Sequence, residues 1–302
     1  CPLIFTIIPL FFREAIVQTP LIDPVISIEK LKALRERSDL VILDCRGSLT
    51  APGAGKLLFD AGHIPGASYI DMTQDITGTR TGTNGRTPMV DSATFAQTLR
   101  RLGTNTTSTV VVYDSGLMNF APRVWFTVRA TGLVNAFVLD GGFDAWQKSS
   151  CPLETVEVPK TPGNFTAAAS SERIFSTEEI EQNLLTHRYL LLDARIEDVY
   201  LGIGAGPDAK TGHIPGSVNH PNRLNVGTDG LLLDAGTLRQ TFMRLSEDHP
   251  ERVIHTCGSG IAACGNLLAM RHAGLTSAGV YIGSFSAWIS DPSHPVSTED
   301  EG

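Results

Sequence analysis

The chain repeats itself, and this repeat limits its fold more than any other feature. Asp44-Cys45-Arg46, Gly62-His63-Ile64-Pro65-Gly66-Ala67 and Gly141-Gly142-Phe143-Asp144-Ala145-Trp146 follow one another in the first half. Asp193-Ala194-Arg195, then GHIPGS from Gly212, then Gly283-Ser284-Phe285-Ser286-Ala287-Trp288 recur in the same order in the second. Markers repeated in one order are the signature of a duplicated structural unit. The 302 residues are enough for two domains of ordinary size.

Between the markers, short apolar runs alternate with helical patterns. Leu40–Leu43, Val110–Tyr113, Phe137–Leu139, Leu190–Leu192 and Val253–Thr256 read as strands. Ile28–Arg37, Pro122–Ala130 and a segment capped by Asp91 and carrying Phe95, Leu99 and Leu102 read as helices. Ser176 with Glu179 forms a capping box that opens another. The alternation predicts an α/β fold, two tandem units each built on a mainly parallel sheet flanked by helices. The stretch before Gly62 and residues 71–90, rich in Thr, Gly and Asn, read as loops, the second of them on the surface.

The expected division is an N-terminal extension over 1–22, a first domain over 23–150, a linker over 151–174, a second domain over 175–292 and a tail over 293–302. The extension carries an apolar run, residues 3–12, that is too short to span a bilayer and is broken by Pro9. A net charge of −8 argues against nucleic acid or an anionic membrane as partner. The five cysteines, Cys1, Cys45, Cys151, Cys257 and Cys264, have no CxxC spacing. That pattern argues against a disulfide framework or a metal site and for a reducing, cytoplasmic setting.

The chemistry concentrates at Cys257-Gly258-Ser259-Gly260, between the Val253–Thr256 strand and a helix beginning near Ile261. Ile261, Cys264, Leu267, Leu268 and Ala269 fall mostly on one side of that helix. The two glycines let the loop curl with its amides inward. A thiol there faces backbone N–H groups and a helix N-terminus, and both favour thiolate over thiol. The competing reading is a buried structural cysteine. Aligning the halves sets Asp114 on Cys257, so only the second domain should carry thiolate chemistry.

These markers, with a cysteine loop in the second copy alone, resemble the tandem-domain rhodanese family over residues 23–292. The sequence CGSGIAA resembles the CGSGVTA loop of its 3-mercaptopyruvate sulfurtransferase branch, whereas thiosulfate-specific members tend to carry a basic CRKGVT-type loop. The resemblance implies two rhodanese-like domains and sulfane-sulfur transfer through a Cys257 persulfide. Backbone N–H groups of Gly258, Gly260, Ile261 and Ala262 would hold the outer sulfur, and Ser259 would contact the donor. It implies a small anionic donor, 3-mercaptopyruvate or alternatively thiosulfate. The acceptor would be cyanide or a thiol, a thioredoxin-like protein among them, and no metal or organic cofactor is required.

The chain also departs from the family pattern. The arginine expected four residues after Arg195 is Val199, and a second expected before GHIPG is replaced at best by Lys210. Arg86 or Arg123 of the first domain could serve a donor carboxylate instead. His63 and His213 sit in matching turns, which suggests a structural role, although His63 is a candidate for substrate contact. Arg46 and Arg195 read as partners of Asp44 and Asp193, His255 as a satisfied buried histidine, and Cys264 as packing. Two other classes compete. A phosphatase of this fold would need an arginine six residues after the cysteine, where Ala263 stands. A non-catalytic binding module usually lacks the cysteine, which fits the first domain but not the second.

Overall fold

The computed structural model describes residues 22–203 and 206–299; the expected extension and the end of the tail lie outside them. In the first half the elements are β1 (Val25–Ile26), α1 (Ile28–Leu34), β2 (Leu40–Asp44), α2 (Ala54–Ala61), β3 (Ala67–Tyr69), α3 (Ser92–Arg101), β4 (Thr109–Tyr113), α4 (Phe120–Ala130), β5 (Ala136–Leu139) and α5 (Gly142–Lys148). The second half follows with α6 (Thr177–Thr186), β6 (Leu190–Asp193), α7 (Glu197–Tyr200), β7 (Ser217–Asn219), α8 (Ala235–Leu245), β8 (Val253–Thr256), α9 (Ala262–His272), β9 (Gly279–Val280) and α10 (Ser284–Trp288).

Every strand pairing is parallel, in the orders β1-β5-β4-β2-β3 and β7-β6-β8-β9. The repeat thus becomes two equivalent sheets, with β4 and β8 at matching central places. The counterpart of β1 shrinks to a single bridge, Ile174 to Val280. Both central strands are buried along their whole length, as continuous apolar runs in parallel sheets should be. Asp91 caps α3 through Ala93 and Thr94, and the Ser176–Glu179 capping box is formed in full.

Two expectations change. Residues 54–61 form α2 rather than loop; only Gly55 and Phe59 of this helix are buried, and Leu57 and Leu58 face solvent, so the sequence shows no inward stripe. Helix α9 is buried on nearly every side from Ala263 to Met270. The reason is that α4 and α9 pack against each other, each sandwiched between its own sheet and the other domain. One apolar cluster consequently runs through both domains, joining Val112, Trp125 and Phe126 to Ile261, Leu267 and Ile282.

The segment before the second domain is a strap. Phe165 is buried, and its N–H and carbonyl bond to Thr104 O and Arg100 Nη1. Glu172, its side chain 2% exposed, pairs with Arg129 of α4 and Arg271 of α9, at 2.6 and 2.5 Å. This ion triad fastens the two helices at the domain boundary. Among the described residues no helix is long and apolar enough to cross a membrane.

Candidate active site

Strand β8 ends at Thr256, which places Cys257 at the C-terminal edge of the second sheet, where open parallel sheets bind ligands. The loop to α9 curls as its glycines permit. Gly260 takes a φ of +75°, and a Cβ there would stand 2.4 Å from the Ile282 carbonyl oxygen. The turn aims the Gly260 N–H at Cys257 Sγ, 3.1 Å away. Behind the cysteine, Ser284 Oγ accepts from the Cys257 N–H at 3.2 Å and donates to the Tyr281 carbonyl at 2.8 Å. It stands 3.9 Å from Sγ.

The first domain shows what this strand–turn–helix does with an anion. Asp114 Oδ1 accepts the Gly116 N–H at 2.8 Å. Its Oδ2 accepts those of Asn119, Phe120 and Ala121 at 2.9, 3.0 and 3.1 Å. The loop is an anion nest filled by its own side chain.

Cys257 opens onto a cavity of about 470 Å³ that also touches Gly258, Ser259, Ile261 and Ala262. Its wall includes Leu49, Asn119 and Phe120 of the first domain and Arg195, Val199, Asp208 and Arg223 of the second. Arg86 reaches it from the stretch 71–90, expected on the surface. That stretch is anchored by buried Ile76 and Val90, then crosses to the second domain. There the Arg86 N–H donates to Ser286 Oγ at 3.0 Å, and Thr87 Oγ1 donates to the Ser259 carbonyl at 2.5 Å. Buried Arg123 donates to the carbonyls of Gly260 and Thr87, each at 3.1 Å. These two residues thus brace the loop from the first domain, and Thr87 is one that sequence reading missed.

Other expected site residues stand elsewhere. Lys210 points away from the cavity and donates to the Pro292 carbonyl at 3.2 Å. His63 lies in the first domain's own turn, fully buried, with Nδ1 2.9 Å from the Phe59 carbonyl and its ring stacked on Phe59. His213 repeats this arrangement against Tyr200. The matching turn geometry explains why both copies keep the histidine. Arg46–Asp44 and Arg195–Asp193 are buried pairs, each at 2.6 Å.

The remaining thiols and His255 divide by environment. Burial pushes the Cys264 thiol up to about 12, and Cys45 is likewise pushed well above its ordinary value. Cys264 Sγ donates to the Gly260 carbonyl at 3.3 Å. His255 is buried, but not satisfied as expected: neither ring nitrogen has a hydrogen-bond partner among the described residues. Burial, with Arg271 and His220 adding to it, pulls its pKa down to about 3, so the ring is uncharged at neutral pH.

Fold and site together define a duplicated α/β protein with one cysteine loop on a cavity wall and one carboxylate-filled copy. The sequence profile of the rhodanese-like domain matches residues 27–149 and again 176–291, so the chain belongs to the rhodanese-like family. It is 34% identical over 278 residues to a Pseudomonas aeruginosa protein named "Probable 3-mercaptopyruvate sulfurtransferase", covering 91% of this chain and 98% of that one. It is 32% identical to a Rattus norvegicus protein named thiosulfate sulfurtransferase, covering 86% of this chain and 89% of the other. The solved SseA of Escherichia coli, described among 3-mercaptopyruvate sulfotransferases, superimposes with a TM-score of 0.76 at 26% identity, over 88% of this chain and 100% of that one.

Proposed function

We propose that this chain is a sulfurtransferase that moves sulfur from 3-mercaptopyruvate to a thiol or cyanide through a persulfide on Cys257. The observation that carries this reading is the Gly260 N–H directed at Cys257 Sγ on the wall of a cavity that also presents Arg86 and Arg223. The Cys257 thiolate attacks the donor sulfur, forming an S–S bond as the C–S bond breaks. The electron pair leaves on carbon as the pyruvate enolate. The proton on the donor sulfur, relayed by the Ser259 hydroxyl, converts the enolate to pyruvate and leaves the persulfide anionic. Backbone N–H groups from Gly258 to Ala262 hold that outer sulfur, as an oxyanion hole holds oxygen. An acceptor thiolate then attacks the outer sulfur and regenerates the Cys257 thiolate.

Thiosulfate is the second donor, with sulfite as leaving group, because Arg86 and Arg223 on the cavity wall can also receive an inorganic dianion. A thioredoxin-like protein is a fitting acceptor, and the unpaired Cys45, Cys151, Cys257 and Cys264 fit a reducing cytoplasm. The functional units are taken as 23–150 and 175–292, joined by 151–174. The test is a steady-state comparison of the two donors, with mass spectrometry of the loaded protein. The expected result is one added sulfur on the Cys257 peptide and a higher kcat/KM for 3-mercaptopyruvate. An unmodified Cys257 with both donors would overturn the reading.

A further inference from the structure

The cavity wall lacks the arginine expected at position 199, and a cation beside the cysteine is supplied from across the domain boundary. Arg86 is held there by its own N–H on Ser286 and by the neighbouring Thr87 on Ser259. A Cβ built on Gly258 would lie 3.1 Å from Arg86 Nη2 and 3.9 Å from Asp208 Oδ2, so both charged groups hang over the first residue after the cysteine. Arg86 and Asp208 form an ion pair, with the arginine side chain 33% exposed and the aspartate 7%. Among the described residues Asp208 has no second cationic partner. The other charges on the wall are Arg223 and Arg195, and Arg195 is already committed to Asp193.

A donor anion that uses Arg86 must therefore share it with a resident carboxylate. We propose that Asp208, by partnering Arg86, shifts the preference of the donor pocket toward monoanionic sulfur donors, such as an α-keto carboxylate thiol, and away from dianionic ones. The proposal rests on the sulfurtransferase reading of the same site. Each negative charge on the donor is repelled once by Asp208, so a dianion is penalised twice. Removing that charge should then help a dianion by the square of the factor by which it helps a monoanion.

The experiment measures KM and kcat for 3-mercaptopyruvate and for thiosulfate, with cyanide as common acceptor, in wild type, Asp208→Asn, Asp208→Glu and Arg86→Gln. In Asp208→Asn the KM should fall about threefold for 3-mercaptopyruvate and about tenfold for thiosulfate, with the change falling on KM rather than kcat. Asp208→Glu, which keeps the charge, should restore the wild-type preference; Arg86→Gln should raise KM for both donors. Sulfur loading of Cys257, read by mass spectrometry, separates the two levels of the argument. If neither donor loads wild-type Cys257, the functional reading fails and the proposal with it. If Cys257 loads but Asp208→Asn shifts both donors equally or not at all, the charge-selecting pair alone is overturned.

Discussion

Ser284 and Gly142 stand at matching places in the two domains with the same left-handed φ of 53°. In the first domain a Cβ at 142 would meet the Asp114 carbonyl oxygen at 2.4 Å, so glycine fits the turn without strain or clash. In the second domain a serine accepts that backbone, at a cost of about 1–2 kcal/mol, and its hydroxyl bonds the Cys257 N–H. Ser284→Gly should therefore keep or raise the melting temperature while slowing sulfur loading of Cys257 about fivefold, the loss of one hydrogen bond of about 1 kcal/mol. Ser284→Ala should slow it equally without the gain in stability. Melting curves beside single-turnover loading check both.

The cysteines should separate cleanly. Cys257→Ser should abolish transfer with the fold intact by circular dichroism. Cys264→Ser should retain most activity, because the Cys264 thiol is pushed up to about 12 and donates to a carbonyl. Sulfur found on Cys45 or Cys151, with none on Cys257, would contradict the assignment.

Asp114→Cys should not create a second site. The first loop, Asp114-Ser115-Gly116-Leu117, lacks the Gly-x-Gly curl, and its amides are arranged around a carboxylate. Asp114→Ala should cost about 2–3 kcal/mol in urea unfolding, since it orphans buried N–H groups at the start of α4. Two transferable sulfur equivalents per Asp114→Cys chain would refute this.

Glu172 should make domain docking sensitive to acid. Burial pushes its carboxyl up, but Arg271 and Arg129 outweigh that and hold it below its ordinary value. A folded value below the unfolded one, about 4.3, means the stabilisation is complete above that pH and is lost as pH falls through the folded value. Glu172→Gln should cost about 2–4 kcal/mol at pH 7, and the gap to wild type should close as the pH drops below about 4. Denaturant midpoints measured across pH 3–7 test the sign.

Val199→Arg should improve 3-mercaptopyruvate use about tenfold if the new guanidinium adds a charge-assisted hydrogen bond of about 1.5 kcal/mol to the donor carboxylate. Val199 lines the cavity, so the side chain has room to reach it. Thiosulfate should gain less if the new charge lies at the carboxylate end, and kcat/KM for the two donors measures the difference.

The repeat, the central strands and the cysteine loop are legible in the sequence because their signals are local: apolar runs, capping residues and paired glycines. Helix α2 is not, because a helix with Phe59 and Gly55 alone turned inward has no periodic stripe. The reach of Arg86 and Thr87 into the other domain leaves little trace either. Their segment reads as polar and Gly-rich, and only Met72, Ile76, Met89 and Val90 hint that it is anchored. The sequence places Lys210 near the site by its position before GHIPG, but its direction is set by the Pro292 carbonyl. The burial of α9 on every side depends on α4, a partner more than a hundred residues away.

By filling its own loop, Asp114 gives the first domain an occupant that can never leave. In the proposed cycle the equivalent loop around Cys257 would gain and lose an outer sulfur with every turnover. One half of the duplication thus presents a closed loop and the other an open one, with α4 of the first bearing directly on α9 of the second. A loop closed on its own carboxylate leaves the first domain's share of the boundary to packing, as a bearing surface for the helix that follows Cys257.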